Sequence, residues 1–284
     1  MTRDFTLHKY RQLLIALQTA GYRFLTFQQY CDAKDQLGDT PFVILRHDVD
    51  ARPLNSLHTA QIEHQLGICA SYYFRIVPAS NQPQYIRAIA DLGHEIGYHY
   101  EDMAVANGDV CAAIKHFESN LSYFRQFYPV RTVCMHGAPT SQWDGRDLWK
   151  SYDYHNYGVV GEPYFDVDFS RVFYLTDTGR RWDGFHVSIR DRVPAYQQQW
   201  IDRGWVYHST DDLIRALQNC KTIAKHHHLQ TLPAQLMITT HPQRWTDNPC
   251  EWARELITQS FKNIIKYAII KVSKQHRNHI GATL

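Results

Sequence analysis

Asp48-Val49-Asp50, His99, His136 and His241 are the residues of this 284-residue chain whose types invite chemistry. A carboxylate is a hard donor for a divalent cation, and a second carboxylate close by can take a proton from water. Histidine is the other ligand type such ions favour, and the side chain best suited to moving protons near neutrality. An Asp-x-Asp triplet alone fits a solvated turn equally well, and a lone histidine fits a hydrogen-bonded core position. The case for a site therefore rests on where these residues fall.

They fall at the ends of strands. The short apolar run Phe42 to Leu45 stops in Arg46-His47-Asp48-Val49-Asp50, as a buried strand does when it delivers polar residues at its C-terminal end. The same ending is read for His94 to His99, for Thr132 to His136 before Gly137, and for Gln235 to His241 before Pro242. Helices are expected between them, over Leu54 to Leu66, Pro83 to Leu92, Val110 to Phe127 and Asp211 to Lys221. Further strands are expected at Ile68 to Val77, Gly158 to Gly161 and Val172 to Thr176. An amphipathic helix through Leu7, Tyr10, Leu13, Leu14 and Leu17, stopped by Gly21, precedes them all. Strands alternating with helices imply parallel βαβ units, and six or seven of them fit an α/β fold of the distorted or incomplete (β/α)7 barrel type. We expect a single domain with its core at about residues 40–245. In such folds the C-terminal rim of the strands is where sites are built. The stretch from Gln142 to Trp205 lacks a clear period and reads as long loops with a few strands.

Composition narrows the function classes. Hydrophobic residues make up 44% and charged residues 20%, as in a globular protein, and a net charge of +2 gives no reason to expect nucleic acid as a partner. The N-terminal residues mix charged and apolar side chains at helical spacing, unlike a signal peptide, and no apolar stretch is long enough for a membrane span. A cytoplasmic location is the default expectation. Cys31, Cys69, Cys111, Cys134, Cys220 and Cys250 are scattered singly and read as reduced, mostly structural thiols. His226-His227-His228 precedes a strand and reads as a solvated helix end. From Glu251 to Val272, Trp252, Leu256, Phe261, Ile264, Ile265 and Ala268 share a helical face, with Lys262, Lys266, Lys271, Lys274 and Arg277 elsewhere. A packing helix with a basic end is the first reading, and peripheral membrane contact the alternative.

Three blocks, Arg46-His47-Asp48-Val49-Asp50, Gly93-His94-Glu95-Ile96-Gly97-Tyr98-His99 and Thr240-His241-Pro242, give the chain a family likeness. In order and spacing it resembles the polysaccharide deacetylases of carbohydrate esterase family four, the NodB-homology domain, over about residues 40–245. The middle block is the most specific. The resemblance implies a partly open barrel that hydrolyses acyl groups on sugars with one divalent metal ion, Zn2+ or alternatively Co2+, Ni2+ or Mn2+. It implies Asp48 as general base, Asp50 and His99 as ligands and His241 as general acid. Met135-His136-Gly137-Ala138-Pro139 stands in place of the family's arginine-bearing strand-four motif.

The chain also departs from the family, whose metal-binding strand supplies a second imidazole where this sequence has Met103. A thioether is a poor ligand for such an ion. His136 is the first choice for the third ligand, with Glu101, Asp102 and His47 as alternatives. In the competing role, His136 replaces the family's strand-four arginine and orients Asp48, a task Arg46 or Arg180 could also perform. For substrate binding we single out Arg180 and Trp182, in the polar and aromatic segment that follows the fifth expected strand, and Trp245 just past His241. The expected substrate is an acylated amino sugar, and an internal location favours a nucleotide- or lipid-linked precursor of surface glycans over assembled polymer. The alternatives are a catalytically inactive barrel that binds a glycan or a protein, and an amidohydrolase acting on non-sugar amides.

Overall fold

The strand that carries Asp48 is hidden along its whole length, Phe42–Val49, as a central strand of a parallel sheet must be. The computed structural model describes residues 3–138, 141–184, 188, 190–222 and 232–280, with residues 220–222 and 268–280 described by their backbone alone. The histidine run 226–228 lies outside the described residues. Along the chain the strands are β1 (Arg23–Leu25), β2 (Phe42–Val49), β3 (Ser71–Phe74), β4 (Glu95–Tyr100), β5 (Val133–Met135), β6 (Phe173–Thr176) and β7 (Gln235–Thr240). The α-helices are α1 (Leu7–Thr19), α2 (Phe27–Ala33), α3 (Pro53–Gln65), α4 (Pro83–Asp91), α5 (Asp102–Val105), α6 (Val110–Phe124), α7 (Pro163–Asp166), α8 (Pro194–Asp202), α9 (Thr210–Thr222) and α10 (Pro249–Ile280).

All pairings between strands are parallel, in the order β5-β4-β3-β2-β7-β6, with β1 added beside the first half of β2. The result is one α/β domain whose curled sheet forms part of a barrel, and β5 and β6 are not joined among the described residues. The last strand does the decisive work of assembly. β7 inserts beside β2 with Thr240 opposite His47, so His241 arrives level with Asp48 although the two are far apart in sequence. On the other side, His99 of β4 pairs with Cys134 of β5, which brings His136 in just past the same rim.

Alternation along each strand sorts the side chains. Arg46 and Asp48 share the inner face of β2, while His47 points to the helix layer and meets Glu63 of α3 at 2.8 Å. In β4, His99 faces inward, while Tyr98 and Tyr100 pack outward on Phe117 of α6. Gly97 lies beneath Tyr73, and a Cβ added there would fall on that ring. Gly97→Ala is therefore expected to destabilise the fold by about 1–3 kcal/mol through overpacking, read as a lowered midpoint of thermal unfolding.

Candidate metal centre and its cavity

Asp50 sits just beyond the end of β2, and its two oxygens have different fates. Oδ2 accepts from Gln243 Nε2 at 3.3 Å, whereas Oδ1 is buried without a hydrogen-bond partner. Facing Oδ1 are His136 Nε2 at 3.4 Å and His99 Nε2 at 3.8 Å. Both imidazoles are fixed from behind. His99 Nδ1 meets the Cys134 carbonyl at 2.9 Å and His136 Nδ1 meets Glu101 Oε2 at 2.9 Å. Those partners only accept, so each Nδ1 carries the hydrogen, and in the neutral ring the Nε2 lone pair points at Asp50. Burial pushes the His99 pKa down to about 4, against the pull of Asp48, so this imidazole is neutral at pH 7.

Lone pairs converging on an unpartnered carboxylate oxygen repel one another unless a cation lies among them. The separations match donor atoms that share one ion through bonds of about 2 Å. Asp50, His99 and His136 could thus hold a metal ion. A second grouping, Asp48, His99 and Cys134, fits less well. Burial pushes the Cys134 thiol well above its ordinary pKa, away from the thiolate a metal needs, and both Asp48 oxygens are already engaged.

What engages Asp48 is Arg46, which donates from Nε to Oδ1 at 2.7 Å and from Nη2 to Oδ2 at 2.6 Å. Of the groups considered for orienting Asp48, it is Arg46 that makes the contact, from two positions back on the same strand face. Burial opposes ionisation of Asp48, but Arg46 and then His99 outweigh it and hold its carboxyl below the ordinary range. No family model matches this chain, and neither does any curated protein or solved structure. The likeness in the three sequence blocks therefore rests on those residues alone.

His241 reaches the cavity from the end of β7, with Nε2 at 3.9 Å from Asp50 Oδ2 and Nδ1 at 2.7 Å from Asp177 Oδ1. Burial and the Arg244 charge press its pKa down, yet the Asp177 carboxylate outweighs them and lifts the imidazole above the ordinary histidine range. Asp177 is fully buried and collects donors from the His241 backbone, His241 Nδ1, Arg244 Nη1 and Trp245 Nε1. Burial disfavours its charge, but Arg244 and His241 hold its carboxyl below the usual range. A folded pKa below the unfolded value of about 3.9 gives stability that is present above about pH 4 and lost as pH falls further. Asp177→Asn is expected to lose about 3 kcal/mol at pH 7 by leaving buried cationic groups without their anion, and the two unfolding curves should converge below about pH 4. Denaturant titrations across pH test this, and a constant gap at every pH would sink it.

The other residues singled out from sequence take different places. Glu101 bridges His136 and Arg75, and its carboxyl stays ionised, pKa about 2, because the bonds to His136 and Arg75 overcome burial. Asp102 accepts from Tyr98 and meets His116, on the helix side. His47 is turned to Glu63, and Met103 is buried in the apolar core. Arg180 lies against Phe5 and Trp252, each ring centre 5.1 Å away. Trp182 is buried and donates to Thr210 Oγ1 at 3.0 Å, and Trp245 is fully buried against Tyr10 and Phe5. None of these three, expected to bind substrate, lines the cavity over the site. That cavity encloses about 660 Å³, within the range of small-molecule sites. Asp48, Asp50, His99, His136 and His241 line it together, with Tyr164 as its aromatic wall among the described residues.

Asp177 falls in the stretch from Gln142 to Trp205 that reads from sequence as long loops with a few strands. Its bonds to His241, Arg244 and Trp245 cross from the end of β6 to the end of β7, and no local pattern announces such a pairing.

Proposed function

We propose that the protein is a metal-dependent hydrolase that removes an N-acyl group, acetyl in type, from an amino sugar. One observation carries this reading: the unpartnered Asp50 Oδ1, facing two imidazoles locked with their Nε2 atoms toward it, shares a cavity with Asp48 and His241. Zn2+ is the ion proposed, since an oxygen and two nitrogens with room for exchangeable ligands are what a catalytic zinc site uses, while Co2+, Ni2+ and Mn2+ accept the same donors. When bound there, such an ion supplies Lewis acidity toward an acyl carbonyl.

The chain's own groups divide the proton work. Asp48, ionised and held in one orientation by both Arg46 bonds, retains lone pairs with which to accept a proton from attacking water. His241, whose protonated form Asp177 favours, is placed to hand a proton to the departing amine. A carboxylate base and an imidazole acid in one cavity are the pairing that amide hydrolysis demands. A nucleotide- or lipid-linked precursor is the proposed substrate class. None of the described helices is long and apolar enough to cross a membrane.

The test is acetate release from a panel of N-acetylated amino sugars, free, nucleotide-linked and lipid-linked. Release should vanish on chelation and return with Zn2+. Release that is indifferent to chelation, or a panel with no release at all, overturns the proposal.

A further inference from the structure

The hydrolytic site occupies only the floor of the cavity, and its upper wall is the first half of α10. Arg254, Thr258, Lys262 and Lys266 recur every four residues along that helix, and all line the cavity. One helical face is thus turned toward the site. None of the three cations forms an ion pair among the described residues. Of the carboxylates that share the cavity, Asp48 is committed to Arg46, Asp191 to Thr176 and Thr178, and Glu255 to Arg52 at 3.6 Å, while Asp50 faces the imidazoles of His99 and His136 on the floor. Burial, reinforced by the neighbouring Arg244 and Lys262 charges and only partly offset by Asp191 and Asp50, lowers the pKa of Lys266.

Cations that line one wall of a cavity without an ion pair of their own are an arrangement that an anion stabilises. The cavity meanwhile offers a single aromatic side chain, Tyr164, among its described lining residues, and so lacks the stacked platforms on which a neutral glycan chain would lie. Resting on the deacylase reading above, we propose that Arg254, Lys262 and Lys266 form a subsite for a phosphate or diphosphate group attached to the sugar whose acyl group is removed. Such a group could belong to a nucleoside diphosphate sugar or to a lipid-linked one, and the chemistry at this wall is the same for both.

Binding of inorganic pyrophosphate and of UDP to the full-length protein, measured by calorimetry after EDTA treatment so that chelation contributes nothing, tests the subsite without any turnover. Lys262→Glu/Lys266→Glu is expected to weaken both by at least about tenfold, as loss of charge-assisted bonds does, and Arg254→Ala by less. Both lysines lie on a partly exposed helix face, so the fold should survive, which circular dichroism checks. Absence of pyrophosphate and UDP binding in the wild type, or binding unchanged in the double variant, overturns the subsite. Turnover separates the two proposals. If both anions bind as expected but no acylated sugar is hydrolysed, the deacylase reading fails and the anion subsite stands. Should N-acetylglucosamine, its UDP-linked form and its diphosphate-linked lipid form all be hydrolysed with equal kcat/KM, the subsite fails and the deacylase reading stands. For the source, a gain in kcat/KM with the UDP-linked sugar that the double variant loses supports a nucleotide. A gain seen only with a diphosphate-linked sugar lipid in phosphatidylcholine vesicles, again lost in the double variant, supports a lipid.

Discussion

Replacing Asp48 with Asn should cut turnover by about 10²–10⁴-fold, the range a positioned general base contributes, while the metal stoichiometry stays that of the wild type. The substitution will also cost stability. Arg46 is 1% exposed and spends two donors on Asp48, so a neutral partner leaves a guanidinium charge buried without its counter-charge. Breaking a buried pair from one side costs about 3–5 kcal/mol, whereas exchanging both members for apolar residues is often close to neutral. A loss of activity in Asp48→Asn could therefore come from chemistry or from unfolding, and the pair itself provides the control. Arg46→Met/Asp48→Leu should recover most of the thermal stability lost by the single variant and remain as inactive. Turnover that returns with stability would show that Asp48 serves the fold and not the proton transfer. Full activity in a folded Asp48→Asn protein would exclude it as the base outright.

The same pair shows which parts of this molecule can be read before folding. Arg46 and Asp48 are two apart on a strand, and period-two alternation puts such residues on one face, so their contact was implicit in the spacing. The strongly periodic elements were equally legible: α1, α3, α4, α6, β2, β4 and β7 lie within a few residues of their expected bounds. So was the gathering of Asp48, Asp50, His99, His136 and His241, because each follows or ends a parallel strand and such strands deliver their ends to one rim. Short elements escaped. β1 has three residues, too few to show a period, and α2, opened by the capping box of Thr26 with Gln29, has only seven. Of the strand expected at Gly158 to Gly161, only Gly161 makes a bridge, to Thr132.

Direction was the harder quantity. Trp245 is four residues past His241, close enough in sequence to look like a cavity wall. The 3-10 turn Pro242–Arg244 between them swings its ring into the core, where it packs on Tyr10 and donates to Asp177. The wall over the site comes instead from α10, whose basic positions read from sequence as a solvated helix end. That inversion has a visible cause. Ile257, Phe261 and Ile264 are exposed at 59%, 65% and 68%, while Arg254, Lys262 and Lys266 line the cavity beside Ile265, so a rule that buries the apolar face does not predict which side of this helix meets the site.

His136→Ala should abolish stoichiometric metal binding, and this substitution separates the two roles that sequence left open for this residue. As a ligand it shares an ion with Asp50 and His99. As an orienting group it would need to touch Asp48, but that carboxylate is already gripped by Arg46, and the contacts of His136 are Asp50 Oδ1 at 3.4 Å and Glu101 Oε2 at 2.9 Å. Without His136 the cluster keeps a carboxylate and one imidazole, too few protein donors for a tightly held ion. Disturbing a partner behind a ligand typically costs 10–100-fold in metal affinity, so deleting the ligand itself should cost more than about 100-fold. Glu101→Gln supplies the graded comparison. The amide can still accept from His136 Nδ1 but brings no charge, and a loss of about tenfold is expected. Metal analysis after gel filtration, with competition against a chelator of known affinity, reads both variants on one scale. Two results would remove His136 from the ligand set: a His136→Ala protein that retains one equivalent of metal, or a Glu101→Gln protein that loses metal while His136→Ala does not. The fold itself should tolerate the change, since His136 lies beyond the last residue of β5, is partly exposed, and supports no buried network other than the one the ion would complete.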